Sequence, residues 1–181
     1  MGNMEIEETK LNGVYIIKNP IFNDLRGTFT KIYNEELFSK FNLCTSFKES
    51  YYTVSKKDVI RGMHFQKPPY DHAKLVYVSK GKIIDVILDL RKNSSTYKKF
   101  ISVELSDNNR YSMYIPKGLA HGFKSLEDNT IVVYQVSTVY NPTSDSGVRW
   151  DSFGMNWNIE DPIISDRDKS FLKLSEFKEM W

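Results

Sequence analysis

The chain has 181 residues, 40% of them hydrophobic, and its 25 basic and 23 acidic side chains leave a formal charge of +2. That length suits one domain with a full core, expected to span 1–181, and the interspersed charges argue against nucleic-acid binding through a basic face. A single cysteine, Cys44, excludes an intramolecular disulfide framework and a cysteine-based zinc cluster. With no run of about 18 apolar residues, the chain is expected to be a soluble, cytoplasmic protein with no membrane partner.

Short apolar and β-branched runs separated by turn residues give the chain an all-β rhythm. The first run is Gly13–Lys18. A helix is expected next, over Asn34–Asn42: Asn34 can cap it, Glu35 and Glu36 suit the first turn, and Leu37, Phe38 and Phe41 share one face. Cys44 then reads as a small, half-buried residue after the helix. Further strand-like runs are Lys74–Ser79, Ile83–Leu90, Phe100–Leu105, Tyr111–Ile115 and Thr130–Thr138. The segments between them, such as Lys80-Gly81-Lys82 and Ser106–Asn109, are rich in residues that turn a chain. Beyond Asp161, Phe171, Leu172, Leu174 and Phe177 suggest a C-terminal extension folding back on the strands. Trp150, Trp157 and Trp181 are assigned to packing.

Three histidines occur in the chain, and two lie in phrases that read as walls of one pocket: Ile60-Arg61-Gly62-Met63-His64-Phe65-Gln66 and Ile115-Pro116-Lys117-Gly118-Leu119-Ala120-His121-Gly122-Phe123. Histidine exchanges protons near neutral pH, and the adjacent arginine and lysine suit an anionic substrate. The second phrase carries the Pro-x-Gly-x-x-His spacing of a cupin barrel, in which proline and glycine shape a strand entry that aims the histidine into the barrel mouth. His72 falls outside these phrases and reads as a rim residue.

Taken together, PIFNDLRGTF (20–29), VIRGMHFQKPP (59–69), AKLVYVSKGKIIDVILDLRKNSST (73–96), IPKGLAHGF (115–123), VYQVSTVYNPTSDSGVRW (133–150) and ISDRD (164–168) resemble the dTDP-4-dehydrorhamnose 3,5-epimerases, in the order those enzymes show them. The resemblance implies a cupin jelly roll, with short helices in the N-terminal third and at the C-terminus. It also implies an isomerase, working without metal or other cofactor, that inverts carbon 3, carbon 5 or both of a nucleotide-diphospho-4-keto sugar for surface polysaccharide synthesis. The chemistry explains the residue types. A ketone at carbon 4 acidifies the neighbouring C–H bonds, so inversion needs a base on one face, a proton donor on the other and a cation for the enolate oxygen.

By this resemblance His64 is the base, Asp168 orients it, Tyr134 returns the proton, and Lys74 stabilises the enolate and lowers the Tyr134 pKa. Arg61 and Arg26 grip the diphosphate. Arg26 and Phe29 belong to an N-terminal segment exchanged across a homodimer, while Gln66, His121 and Tyr140 line or flank the sugar pocket. Each has a plainer reading: a lone histidine before Phe is usually structural, Lys74 and Arg61 could be solvated strand-edge charges, and Asp168 could cap a helix. Metal-binding cupins use a second histidine where this chain has Gln66, with a downstream glutamate that is lacking here, so too few ligands are expected.

Some positions depart from the family pattern. Gln135 follows Tyr134 where lysine is usual, Lys31 replaces a common acid, and Phe47-Lys48-Glu49-Ser50-Tyr51-Tyr52 stands where many dTDP-specific members carry Gln and Asn. Lys31, Glu49 and Tyr51 therefore fall on the nucleotide-contacting side, leaving both dTDP- and GDP-linked sugars, hexose or heptose, as candidates. A ketoisomerase of the same fold and a non-catalytic nucleotide-sugar-binding cupin are the competing readings.

Overall fold

A computed structural model describes residues 3–178 and 180–181. Its strands are β1 (Glu5–Glu8), β2 (Tyr15–Lys18), β3 (Ile21–Asp24), β4 (Gly27–Thr30), β5 (Glu49–Ser55), β6 (Ile60–Gln66), β7 (Lys74–Lys80), β8 (Lys82–Asp89), β9 (Phe100–Ser106), β10 (Tyr111–Ile115), β11 (Leu119–Ser125), β12 (Thr130–Val136) and β13 (Asp145–Gly147). Two short helices, α1 (Glu35–Lys40) and α2 (Asp166–Lys169), lie in the N-terminal third and near the C-terminus. This is the all-β, cupin-type jelly roll expected from the sequence. Asn34 caps α1, its side chain accepting the Leu37 N–H.

The strands form a six-stranded antiparallel sheet ordered β1-β2-β10-β7-β12-β5 and a five-stranded one ordered β13-β6-β11-β8-β9. Because side chains alternate along a strand, each sheet sends one set inward and one outward. Val76, Val78, Ile83, Ile87, Phe123 and Val132 meet between the sheets. The outward set is covered too: Phe38 of α1 packs over Ile17, Leu75 and Tyr114. Val86, Leu88 and Phe65 lie beneath Trp157, Leu174 and Trp181 of the C-terminal segment. The three tryptophans are packing residues, as expected, and burial on both faces explains the nearly unbroken apolar run of β8.

β3 and β4 pair only with each other, and their turn projects into solvent, where Leu25 is fully exposed and Phe29 is 59% exposed. At the opposite extreme, β6 and β11 run so close that a Cβ on Gly62 would sit 2.6 Å from the Gly122 Cα. Gly62 also has φ +131°, open to glycine and costly for other residues. A register shift in the β11–β6 ladder lies between His121 and Phe123, beside the paired His121 and His64; such irregularities re-aim side chains.

Candidate active site

One end of the barrel holds a cavity of about 420 Å³. β6 contributes His64 and Gln66, β7 Lys74, β5 Glu49 and Tyr51, β12 Val136, and β13 Asp145; Tyr140 and Arg167 complete the rim. The two sheets thus face each other across it with different chemistry.

His64 is fixed from behind. Its Nε2 lies 2.8 Å from Asp168 Oδ1, while Asp168 Oδ2 accepts the Gly62 N–H at 2.9 Å. The Phe171 ring meets the imidazole edge-on at 5.8 Å. A carboxylate is an acceptor, so Nε2 carries the proton and Nδ1 keeps the lone pair. Asp168 lies in α2, whose cap is Ser165: its hydroxyl accepts the Asp168 N–H at 3.1 Å. The helix-cap alternative for Asp168 therefore falls to a neighbour, and its carboxylate is free for His64. Burial lowers the His64 pKa despite Asp168. Burial also pushes the Asp168 carboxyl up, but the His64 ring, the Gly62 N–H and Arg167 more than offset that and hold it below the usual range.

On the facing sheet, Lys74 is buried, its Nζ donating to the His64 carbonyl at 3.2 Å, so it is no solvated strand-edge charge. Burial brings its pKa down to about 8, with Asp85 and Asp145 acting the other way. Tyr134 lies under Tyr51, the rings stacked at 4.9 Å and 19°. Burial drives the Tyr134 pKa far above the ordinary tyrosine value, and the cation acting on it is Arg61. The expectation that Lys74 lowers this phenol's pKa is thus corrected: burial outweighs any nearby charge, and Tyr134 holds its proton. Desolvation at the stacked Tyr51, with Glu49 and Asp145 adding to it, pushes its pKa up to about 12.

Other residues sit differently from the sequence reading. His121 is 3% exposed and does not line the cavity; its Nε2 lies 2.6 Å from Asp85 Oδ1, and its ring is 5.9 Å from Tyr134. Gln66 reaches the cavity, but its amide is bonded to backbone at Tyr70, Val139 and Asn141. Tyr140 stands at the mouth, its N–H donating to Glu49 Oε2 at 2.7 Å. Arg61 points to the β5 edge, donating from Nε to Ser55 Oγ at 3.0 Å and from Nη2 to the Val54 carbonyl at 3.3 Å. Arg26, Phe29 and Lys31 line a separate hollow on the β3–β4 hairpin, where Arg26 pairs with Asp24. Within one chain they do not reach His64.

Besides the apolar Phe65 and Val136, three polar lining residues were missed in the sequence. His72 is a pocket wall rather than a rim residue: burial, then the Lys74 ammonium, push its pKa down to about 3. Asp145 and Arg167 pair across the mouth, Arg167 Nη2 lying 2.5 Å from Asp145 Oδ2. Both fall within phrases already singled out, and the position of Arg167 beside Asp168 was the available signal. Among the described residues, no group of three or more His, Cys, Asp or Glu side chains is arranged to hold a metal ion, and no helix is long and apolar enough to cross a membrane.

The profile of the dTDP-4-dehydrorhamnose 3,5-epimerases matches residues 8–176. The enzyme of that name from Methanothermobacter thermautotrophicus is 40% identical, with 97% of each chain covered. A Bacillus anthracis dTDP-4-dehydrorhamnose 3,5-epimerase, solved with TDP and pyrophosphate bound, superposes with a TM-score of 0.92 at 38% identity, covering 95% of this chain and 100% of that one. A 3'-monoepimerase from Streptomyces bikiniensis, solved with dTDP-quinovose, gives a TM-score of 0.87 at 26% identity over 92% of this chain and 86% of its own. The chain belongs to the dTDP-4-dehydrorhamnose 3,5-epimerase family and is an isomerase.

Proposed function

We propose that this protein inverts carbon 3, and carbon 5 where the substrate allows, of a dTDP-linked 4-keto sugar destined for rhamnose-type surface polysaccharide, with residues 1–181 acting as one catalytic domain. The observation that supports the reading is the carboxylate-backed His64 on β6 sharing one cavity with the buried Lys74; Tyr134 on β12, stacked with the lining residue Tyr51 and outside the cavity wall itself, is assigned the proton-donor role. His64 Nδ1 takes the proton from carbon 3 or 5, and Asp168 stabilises the imidazolium that forms. The electron pair moves into the C4–O bond, and the Lys74 ammonium stabilises the oxyanion. Tyr134 donates from the other face, giving inversion, and the enolate collapses to the ketone. Proton transfer to an enolate by a phenol of raised pKa requires an enolate at least as basic, which favours a tightly desolvated pocket.

Cofactor-independent chemistry suits the donor set, because Asp85 engages His121 and backbone groups engage the Gln66 amide. The diphosphate is assigned to Arg61 and to Arg26 of a second copy of the chain, whose projecting β3–β4 hairpin would bring Phe29 and Lys31 with it. The isolated chain leaves that hairpin unpaired, which fits a homodimer with exchanged N-terminal segments. GDP-linked sugars, including heptoses, form the second substrate class, because Glu49 and Tyr51 line the cavity where dTDP-specific members carry other residues.

Incubation with dTDP- and GDP-linked 4-keto sugars in deuterated water, followed by NMR, tests the assignment. Deuterium is expected at carbon 3 and carbon 5, abolished by His64→Asn, while Tyr134→Phe retains washout with little inverted product. Absence of exchange with every sugar would overturn the proposal, and carbonyl migration from carbon 4 to carbon 3 would replace it with the ketoisomerase reading.

A further inference from the structure

Gln66 and His72 share the cavity wall with Lys74, yet neither has a part in the chemistry above. The orientation of the Gln66 amide is dictated by its partners. Oε1 accepts the Asn141 N–H at 2.6 Å, so Nε2 must face the Tyr70 carbonyl at 2.8 Å and the Val139 carbonyl at 3.3 Å. The same Nε2 lies 3.3 Å from His72 Nδ1. An amide nitrogen only donates, so this contact is a hydrogen bond only with Nδ1 as the acceptor and the His72 proton on Nε2, the two N–H groups being shared among the three acceptors. Both arms of the network lead to the mouth of the pocket. Segment 70–73 is tied to segment 137–141 by Ala73 N–H to Ser137 Oγ at 2.9 Å and by Thr138 Oγ1 to the Asp71 carbonyl at 3.2 Å. Tyr140 follows directly, with its N–H on Glu49.

We propose that Gln66 is a positioning residue rather than a sugar ligand, holding His72 as the neutral Nε2–H imidazole and the 137–141 arm with Tyr140 in place, so that Lys74 and Arg167 are the cations of the sugar compartment. The inference rests on the epimerase reading of this cavity. Its chemical sense lies in the enolate: one ammonium at the ketone oxygen directs charge to carbon 4, whereas a protonated His72 beside Lys74 would compete for the oxyanion and repel that ammonium. The groups that bear on His72 favour neutrality. Burial weighs most, the Lys74 charge adds to it, a backbone hydrogen bond at Thr138 opposes it, and His121 and Lys117 contribute least. The acids of this end of the barrel are engaged elsewhere: Asp71 with Lys117 and Trp181, Asp85 with His121, Asp145 with Arg167, and Glu49 with the Tyr140 N–H.

Gln66→Glu keeps the acceptor for Asn141 and removes every N–H donor, placing a carboxylate against His72 Nδ1. Long-range 1H–15N spectra of the imidazoles and steady-state kinetics are measured on the full-length wild type, Gln66→Glu and Gln66→Met. In the wild type, His72 is expected to show the Nε2–H tautomer and no titration between pH 5 and 8. In Gln66→Glu it is expected to titrate within that range, with kcat falling on the acid side as His72 charges. In Gln66→Met, KM is expected to rise about tenfold with kcat within about threefold, because an uncharged tie has been lost without altering the base. A wild-type His72 in the Nδ1–H form or titrating near pH 6.5 would overturn the proposal, as would an unchanged KM in a folded Gln66→Met. If the wild type exchanges no deuterium into any 4-keto sugar, the epimerase reading fails instead, and the tautomer measurement still decides the Gln66–His72 arrangement.

Discussion

Asp168→Asn is the most discriminating change in this site because it alters one atom and reverses one hydrogen bond. In the native arrangement Oδ2 accepts the Gly62 N–H at 2.9 Å and Oδ1 faces His64 Nε2 at 2.8 Å, with the residue 3% exposed. Asparagine has one oxygen. If it stays on the Gly62 N–H, the new NH2 faces Nε2 and forces the imidazole proton onto Nδ1, the nitrogen that must be empty to accept a proton from carbon 3 or 5. If the amide turns over instead, its NH2 meets the Gly62 N–H and a buried donor is left unsatisfied. Losing the charge-assisted bond to the imidazolium costs roughly 1.5–3 kcal/mol, a factor of about 10 to 150 in rate. The tautomer defect multiplies it, and the analogous carboxylate-to-amide change in a Ser-His-Asp triad lowers kcat by about 10⁴. The expected loss here is therefore about 10³ to 10⁴ in deuterium washout under single-turnover conditions, with the cooperative fold retained by circular dichroism. An exchange rate within tenfold of wild type, in a folded variant with the Nδ1–H tautomer seen by 15N NMR, would refute the role given to Asp168.

The pH dependence follows from the same burial. The base must be neutral and its pKa is lowered, so kcat/KM falls only at pH below about 6.5. The Lys74 ammonium discharges as pH rises through about 8, which sets the alkaline limb. Lys74→Gln is expected to remove that limb and lower kcat by about 10² to 10³, the usual cost of one oxyanion partner; an alkaline limb that survives the substitution would belong to another group. Stability has its own acid limb. His64 and His72 both have pKa values lowered by burial, so below about pH 6.5 the unfolded chain binds more protons than the folded one and stability drops. Each histidine contributes up to about 1.4 kcal/mol per pH unit, for His72 over the range from about 6.5 to about 3. Urea midpoints measured from pH 7 to 5 should show the slope and its reduction by about one proton in His72→Gln; a flat profile would contradict the buried neutral rings. Gly147→Ala would drive a methyl group into the Phe171 ring and toward the Met63 carbonyl, which lies 2.6 Å from the added Cβ position. Overpacking of this kind costs about 1–3 kcal/mol, and because Phe171 shoulders His64, activity should fall more than the shift in Tm explains.

The strands most legible in the sequence are those dominated by β-branched and aromatic residues, whether or not they also carry a site residue. β8, β10 and β12 fill the core or the layers over it with β-branched and aromatic residues, and their runs stand out. β5 and β6 were not marked as strands, although β6 carries His64, the proposed base. Gly62 and His64 interrupt its apolar pattern, and β5 turns Tyr52 and Val54 to solvent at 67% and 50% exposure, so neither shows the period of a half-buried strand. The His64–Asp168 pair spans 104 residues, a separation at which spacing carries no signal, and it was found through the resemblance alone. Hydrogen-bond allegiance was illegible for a further reason: the type of a residue does not say which partner it has. Gln66 and His121 look like ligands in the sequence, yet backbone holds the first and Asp85 the second.

That second allegiance explains a cost the fold would otherwise bear without return. Burying Lys74 disfavours its ammonium, and with no opposing charge a fully buried lysine falls by several pH units and is neutral at pH 7. A neutral amine could not stabilise an enolate. Asp85, fully buried on β8 and oriented by His121 on the adjacent strand, is the foremost charge holding the Lys74 pKa up, with Asp145 on β13 assisting from the rim. Asp85 is therefore part of the electrostatics of the pocket although neither it nor His121 lines the cavity. His121 holds the carboxylate, the carboxylate favours the charged lysine at neutral pH, and the lysine is the cation proposed to meet the developing oxyanion. The histidine of the cupin-like phrase is thereby put to use one step removed from the cavity wall.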